Sequence, residues 1–489
     1  MSSVDEPSLF DTVIDNGYCI GCGACSYADP NTYSVEIDVY GMYQANVLSE
    51  KESKDSKSQS LSRSPSPKEV CPFSDVGPNE DEIAAEKFSD EIPHNDKIGK
   101  HISCYAGHVE VGEFRDAGSS GGFGKWLLTE LLERGEVDYV IQVTPKFNRD
   151  DKEEIFKYGV FDSADEILEG SKSAYYPVSM NEALEFIKEN EGQYAITALP
   201  CFSKALELVR RQDEVIDERV SYTLGLVCGH LKSKAFAQSF GWELGVRPDD
   251  LAGIDFRGET QGEKANEKGV YAINKDGERS PTVSSRDLIG GNWGHNVFRY
   301  KACDYCDDVV GETADVTFGD AWIPPYEDDP DGANVVVTRN ERLEEIIREA
   351  IENGALEFDD ISAEDVIESQ AGGLRDRRQG LAYRLARQVE KGNWYPEKRV
   401  EPAKTGSKQR DKVYEKRMEL REKSHEFFLE AKRRDDFKYY AENMKPLMKD
   451  LEVIKKGRAK AVLADTLETL HLKEAILTSR DTVKSIVNK

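Results

Sequence analysis

Three cysteines at C-x2-C-x2-C spacing, Cys19, Cys22 and Cys25, limit what this chain can fold around more than any other feature it carries. Thiolates this close wrap three corners of a cubane 4Fe–4S cluster, and the intervening Gly21 and Gly23 let backbone amides approach the sulfides. In two-cluster ferredoxins a Cys-Pro follows three residues later and serves the neighbouring cluster. Here that place holds Asp29-Pro30, so the hand-off is missing, and the remote Cys71-Pro72 becomes the expected fourth ligand. Asp29 is read as a solvated helix cap, with an exchangeable ligand as the alternative. The rival for four thiolates is zinc, which rarely uses this spacing. Nine cysteines in 489 residues, an odd number in a long chain, do not make the disulfide framework of a short secreted domain.

A second set lies further on. Cys201 follows a predicted strand in Ala198-Leu199-Pro200-Cys201, Cys228 ends another, and Cys303 and Cys306 form a C-x2-C pair. Strand C-terminal ends of an open α/β sheet converge on one crevice. Four thiolates gathered there would hold a second 4Fe–4S cluster; a zinc site or separate buried cysteines are the alternatives. Cys104 is left over as a packed, spectator thiol. His230, two residues beyond Cys228, is the candidate catalytic residue, placed to donate to a cluster sulfide or to shuttle a proton; a structural histidine is the alternative.

Elsewhere the chain alternates predicted strands and helices. Helices are expected over Gly121–Arg134, Asn181–Glu191, Phe202–Arg211, Ser233–Leu244 and Glu341–Asn353. Strands are expected over Val137–Thr144, Tyr194–Leu199, Tyr222–Cys228, Ala314–Gly319 and Asn334–Thr338, with short strands between Ser34 and Val47. That alternation reads as an α/β fold. Residues 49–68 are Ser-, Lys- and Pro-rich and read as a flexible linker loop. From Glu401 onward basic residues outnumber acidic ones by 22 to 16, and two helices are expected, Asp411–Tyr440 and Pro446 to about Lys473. The whole chain has a formal charge of −28, which excludes a generic nucleic-acid clamp, since it would repel phosphate backbones. No run is apolar enough for a membrane span, and the acidic first ten residues do not read as a leader, so a cytoplasmic protein is the expectation.

Taken in order, these segments resemble the beta-subunit family of coenzyme F420 hydrogenases and dehydrogenases. The resemblance runs over roughly residues 11–340. It rests on the Cys19–Cys25 motif, Gly118 to Gly122 before a helix, Gly170 to Tyr175, Leu199-Pro200-Cys201, Asp255-Phe256-Arg257, and Cys303–Cys306 followed by Ala314 to Trp322. It implies an N-terminal 4Fe–4S ferredoxin-like module over 11–75, a central α/β flavin domain over 100–400, and a helical extension over 401–489. It implies FAD and two 4Fe–4S clusters, with Cys19, Cys22, Cys25, Cys71, Cys201, Cys228, Cys303 and Cys306 as metal ligands. The flavin contacts it implies are Ser119, Ser120, Gly121, Gly122, Lys172, Ser173, Tyr175 and Arg257. Free amides at a helix start would suit a diphosphate.

The implied activity is that of an iron–sulfur flavoprotein oxidoreductase. It would pass electrons between a ferredoxin or reduced F420-type carrier and an organic acceptor, with coenzyme F420 a candidate substrate. The alternative is a non-catalytic electron-transfer beta subunit of a larger complex, with a partner subunit or self-association through the C-terminal helices. No G-x-G-x-x-G follows an early strand, which weakens nicotinamide use.

Overall fold

The computed structural model describes residues 7–48, 65–146, 154–170, 172–258, 267–456. An eight-stranded mixed sheet is its frame. Across the sheet the strands run Leu356–Asp360, Cys104–Val109, Asn334–Thr338, Val316–Asp320, Val220–Leu226, Tyr194–Ala198, Tyr139–Pro145 and Phe156–Phe161. The four from Val316–Asp320 to Tyr139–Pro145 are mutually parallel, and antiparallel strands flank them on both sides. Tyr194–Ala198 is buried along its whole length, as a strand covered on both faces must be.

Helices form where apolar side chains recur at helical spacing. In Glu341–Glu352 the side chains of Leu343, Ile346, Ile347 and Ala350 are buried, and the Asn340 side chain caps the start by accepting from the Arg342 and Leu343 amides. Phe123–Glu133 buries Trp126, Leu127, Leu128 and Leu131. A fully buried side chain of this kind contributes about 1.5–3 kcal/mol. The expected N-terminal strands are a hairpin, Tyr33–Ile37 against Tyr43–Val47, with Val35 opposite Ala45. A three-stranded side sheet, Leu251–Gly258, Gly269–Asn274 and Val283–Ser284, has no counterpart in the expectations from sequence.

The N-terminal segment, the sheet and the C-terminal helices share one apolar core, with Val13 and Phe73, Ile141 and Phe202, and Phe428 and Met444 all belonging to it. The tail differs from expectation in its break point. It forms Lys408–Arg434 and Phe437–Lys456, divided at Asp435 with φ 54°, and Pro446 lies inside the second helix. Burial of Tyr440, Met444 and Leu451 on either side of Pro446 offsets the backbone bond that proline removes. The expected helix beyond Lys456 and linker positions 49–64 lie outside the described residues. The start of the following segment is fixed to the body, the Ser66 amide donating to Gln212 Oε1 at 2.7 Å. Among the described residues, no helix is long and apolar enough to cross a membrane.

Candidate functional site

Cys19, Cys22, Cys25 and Cys71 line one cavity, walled by Leu9, Val13, Val35 and Phe73. Close approach makes this outer quartet. Gly21 has φ +68°, and a Cβ there would lie 2.2 Å from Tyr43 Cβ. The Gly21 and Ala45 amides each donate to Cys19 Sγ at 3.3 Å. Burial, reinforced by the neighbouring thiols, holds Cys25 well above the usual thiol range, and burial pushes Cys71 up to about 12. The four cysteines are the sulfur donors among the residues lining the cavity, and Tyr18 is the other lining side chain that carries a polar atom.

The inner quartet forms at the C-terminal edge of the parallel strands. Tyr194–Ala198 runs into the helix Pro200–Arg210, with Cys201 in its first turn, and Val220–Leu226 runs into Cys228. Cys303 lies in the short 3-10 turn Ala302–Tyr305, which Cys306 closes. Cys201 interacts electrostatically with Cys306, Cys228 and Cys303, and burial holds it well above the usual thiol range. The Leu231 amide donates to Cys303 Sγ at 3.3 Å.

Beside the inner quartet sits a cation. Arg377 is 2% exposed and donates to the carbonyls of Cys228 at 2.9 Å and Gly229 at 2.6 Å. Its Nε has no partner among the described residues. A buried charge ordinarily requires a counter-charge. Four thiolates around a metal centre carry net negative charge, so this donor set and this guanidinium fit such a group. The two quartets also adjoin: Cys201 interacts electrostatically with Cys22, and the Tyr158 hydroxyl with both.

Next to the inner quartet opens a cavity of about 520 Å³, within the range of small-molecule sites. Its walls include Tyr175, Phe236, Phe256, Trp293 and Trp322. Arg257 stands in it, donating to Tyr175 Oη at 3.0 Å and to Asp320 Oδ2 at 2.8 Å. The His230 ring lies 4.5 Å from the Trp293 ring, and its Nε2 is buried with no partner among the described residues. Burial, with Lys232, Arg299 and Arg377 nearby, pushes His230 well below the usual histidine range. Lys232, 2% exposed, packs its ammonium over Phe236 at 4.4 Å and Trp293 at 4.5 Å and donates to Val297 O at 2.6 Å.

Of the expected flavin contacts, Tyr175 and Arg257 line this cavity, whereas Ser119, Ser120, Gly121, Gly122, Lys172 and Ser173 are not among its lining residues. Ser173 Oγ donates to Ser119 Oγ at 3.0 Å, joining Gly118–Gly122 to Gly170–Tyr175. Gly121, with φ +53°, is pressed against Asn334, where a Cβ would come within 2.5 Å of Oδ1. The amides expected to be free are engaged within the protein: Gly121 N donates to Gly332 O, Gly122 N to Ser120 O, and Phe123 N to Asn334 Oδ1. The strand Asn334–Thr338 closes over this turn, which sequence order does not reveal. Ser120 is buried and donates to Ala333 O at 3.0 Å. Lys172 interacts electrostatically with Lys125 and Lys268, so the basic groups near the cavity form one set. Cys104 is buried among Ile98, Val335 and Val337.

Arg377, Lys232 and Trp293 were not among the sequence candidates. Arg377 sits in a run, Arg375-Asp376-Arg377-Arg378, that resembles a solvated face. Trp293 follows Gly290-Gly291-Asn292, a loop signal with an aromatic that could have drawn notice.

Two family models match the chain, both described as coenzyme F420 hydrogenase/dehydrogenase, beta subunit. The one for the N-terminal part matches residues 104–185, and the one for the C-terminal part matches residues 192–364. Together they cover more than half of it. An uncharacterized protein of Methanocaldococcus jannaschii is 27% identical over 243 residues, 48% of this chain and 80% of that protein. A chain in a structure of the F420-reducing NiFe hydrogenase complex from Methanosarcina barkeri aligns with a TM-score of 0.45 and 17% identity, covering 62% of this chain and 97% of that one. The inner quartet lies inside the matched segments, whereas the outer quartet, Arg377 and the C-terminal helices lie outside them. The chain belongs to the coenzyme F420 hydrogenase/dehydrogenase beta-subunit family.

Proposed function

We propose that this chain is an iron–sulfur flavoprotein oxidoreductase that exchanges electrons between a ferredoxin or reduced F420-type carrier and an organic acceptor in the cytoplasm. The observation that carries the reading is the adjacency of three features: an outer thiol quartet, an inner thiol quartet, and an aromatic cavity holding Arg257. Cys19, Cys22, Cys25 and Cys71 would hold one 4Fe–4S cluster, and Cys201, Cys228, Cys303 and Cys306 the other. Bound FAD would supply the exchange between two-electron and one-electron chemistry, and the clusters single-electron relay.

The chain's own groups supply the rest. Tyr175, Trp293 and Phe256 give flat apolar walls to a ring system, and Arg257, fixed by Asp320 and Tyr175, presents a permanent positive charge to an anionic edge. Lys268 and Arg286 line the same cavity and suit phosphate oxygens, with Lys172 close to Lys268. His230, with Nε2 unpartnered among the described residues, can hold a hydrogen bond to a bound group or carry a proton.

Anaerobic purification followed by iron, sulfide and flavin quantitation tests this. About eight iron atoms and one FAD per chain are expected. Zinc without iron overturns the reading. Cys201→Ser should lower iron to about four per chain and leave one cluster spectrum intact; loss of both spectra contradicts two separate sites. Membership in a family of hydrogenase and dehydrogenase beta subunits favours one other reading, electron transfer to a separate catalytic partner. Turnover of a small acceptor by the isolated chain distinguishes the two.

A further inference from the structure

We infer that electrons run inward, from the Cys19/Cys22/Cys25/Cys71 centre to the Cys201/Cys228/Cys303/Cys306 centre, because buried Arg377 makes the inner centre the easier of the two to reduce. This rests on the two-cluster reading above and adds a direction to it. The step moves one electron. The outer centre is oxidised, the inner centre is reduced, no bond forms or breaks, and no proton moves. With the groups bound, a one-electron carrier protein would supply the outer centre, and the inner centre would pass the electron to a redox cofactor held in the cavity.

The inference stands on where charge is buried. A guanidinium cannot lose its proton in a protein, so the charge of Arg377 is permanent. Its only hydrogen-bond partners among the described residues are the carbonyls of Cys228 and Gly229, at 2.9 and 2.6 Å. No carboxylate lies at ion-pair distance from it among the described residues. The adjacent Asp376 turns instead to Arg299 at 2.9 Å and to Arg384 and Arg417 at 3.3 Å. Arg299 also touches the inner centre by donating to Cys303 O; it is ion-paired with Asp376, which Arg384 and Arg417 share, and with Asp304, which Arg421 shares. Arg377 is therefore the buried guanidinium beside Cys228 without a carboxylate at ion-pair distance among the described residues, and the buried Lys232 near Cys303 has none there either.

The outer centre has no equivalent. Its cavity is lined by apolar residues, glycines and its own thiols, with no lysine or arginine. Three cations lie behind its wall: Lys204 towards Cys71, paired with Glu80 at 3.2 Å; Lys398 over the Phe73 ring, paired with Asp307 at 3.8 Å; and Lys301 over the Tyr18 ring, held by Asn16 O at 2.6 Å. One feature pulls the other way: backbone amides of Gly21, Ala45, Ala24, Ser26, Phe73 and Ser74 favour the outer thiolates, against the Leu231 amide at Cys303. Amide bonds to sulfur raise a potential, but they are neutral dipoles, several of them outside direct hydrogen-bond geometry, whereas Arg377 places a full charge in a low-dielectric interior. Each added electron makes a thiolate-bound centre more negative, and Arg377 favours that state at the inner centre alone.

A redox titration of the anaerobic holoprotein, followed by electron paramagnetic resonance, tests this. Two midpoints are expected, the inner one higher. Cys71→Ser should abolish or alter the lower-potential signal and so assign it to the outer centre. Arg377→Gln should lower the inner midpoint by about 59 mV, a tenfold change in the one-electron equilibrium, and leave the outer one in place. Arg377→Lys should restore most of the difference. Two clusters in the reverse order, or equal shifts in the Gln and Lys variants, overturn the inference and leave the proposed function standing. A protein without two clusters overturns both. If Arg377→Gln fails to assemble, the order of the wild-type midpoints, assigned through Cys71→Ser, still decides.

Discussion

Gly21→Ala probes how the outer quartet is built. The backbone at Gly21 is left-handed, φ +68°, and an added Cβ would fall 2.2 Å from Tyr43 Cβ and 2.5 Å from Tyr43 O. Left-handed backbone costs an L-residue about 1–2 kcal/mol. A methyl forced against the rigid hairpin backbone adds about 1–3 kcal/mol of overpacking. The expected loss is about 2–5 kcal/mol, and because the Gly21 amide donates to Cys19 Sγ, iron retention at the outer site should fall with it. Gly372→Ala is the matched control. Gly372 lies in the helix Ala371–Arg375 with open space around its Cβ, so alanine there should stabilise by up to about 1 kcal/mol. Urea unfolding of the iron-free proteins, read by tryptophan fluorescence, measures both. If Gly21→Ala unfolds at the wild-type urea concentration, the close packing of the cysteine loop on the hairpin is not what shapes this site.

Three further outcomes can be checked. Burial pushes the His425 pKa down to about 4, while its ring is held by Arg421 O at 2.9 Å and Ser233 Oγ at 3.1 Å. Above pH 6.5 the imidazole is neutral folded and unfolded. As pH falls from 6.5 to 4 only the unfolded chain takes up the proton, so about 3 kcal/mol of stability is lost across that window. Urea midpoints should show this slope, and His425→Gln should flatten it. Arg257→Gln strips the guanidinium from the largely buried Asp320 carboxylate and should cost about 3 kcal/mol, with Asp320→Asn in the same chain recovering at least about 1 kcal/mol in a double-mutant cycle. Trp293→Ala removes a ring 4.7 Å from Tyr175 and should weaken flavin affinity by about tenfold in equilibrium dialysis, a loss of about 1.4 kcal/mol.

The elements that sequence made legible are those written in nearest neighbours. The apolar spacing in Glu341–Glu352 and the unbroken apolar run of Tyr194–Ala198 are local patterns, and the structure holds both elements within a residue or two of expectation. Cysteine spacing likewise announced three of the outer thiols, and the expected strand ends put Cys201 and Cys228 on one edge of the sheet. Tertiary structure alone decided where the charges went. Arg377 resembles a surface residue in its own sequence; it becomes a buried cation because its turn closes over the Cys228 strand end, 149 positions away along the chain. The same holds for the Gly121 turn, where the Gly121 and Phe123 amides are taken by the 332–334 segment, and for Pro446, kept within a helix by side chains buried on both sides of it. Periodicity specifies a face, but burial of a charge, an amide or a proline is settled only by what arrives from elsewhere in the chain to cover it.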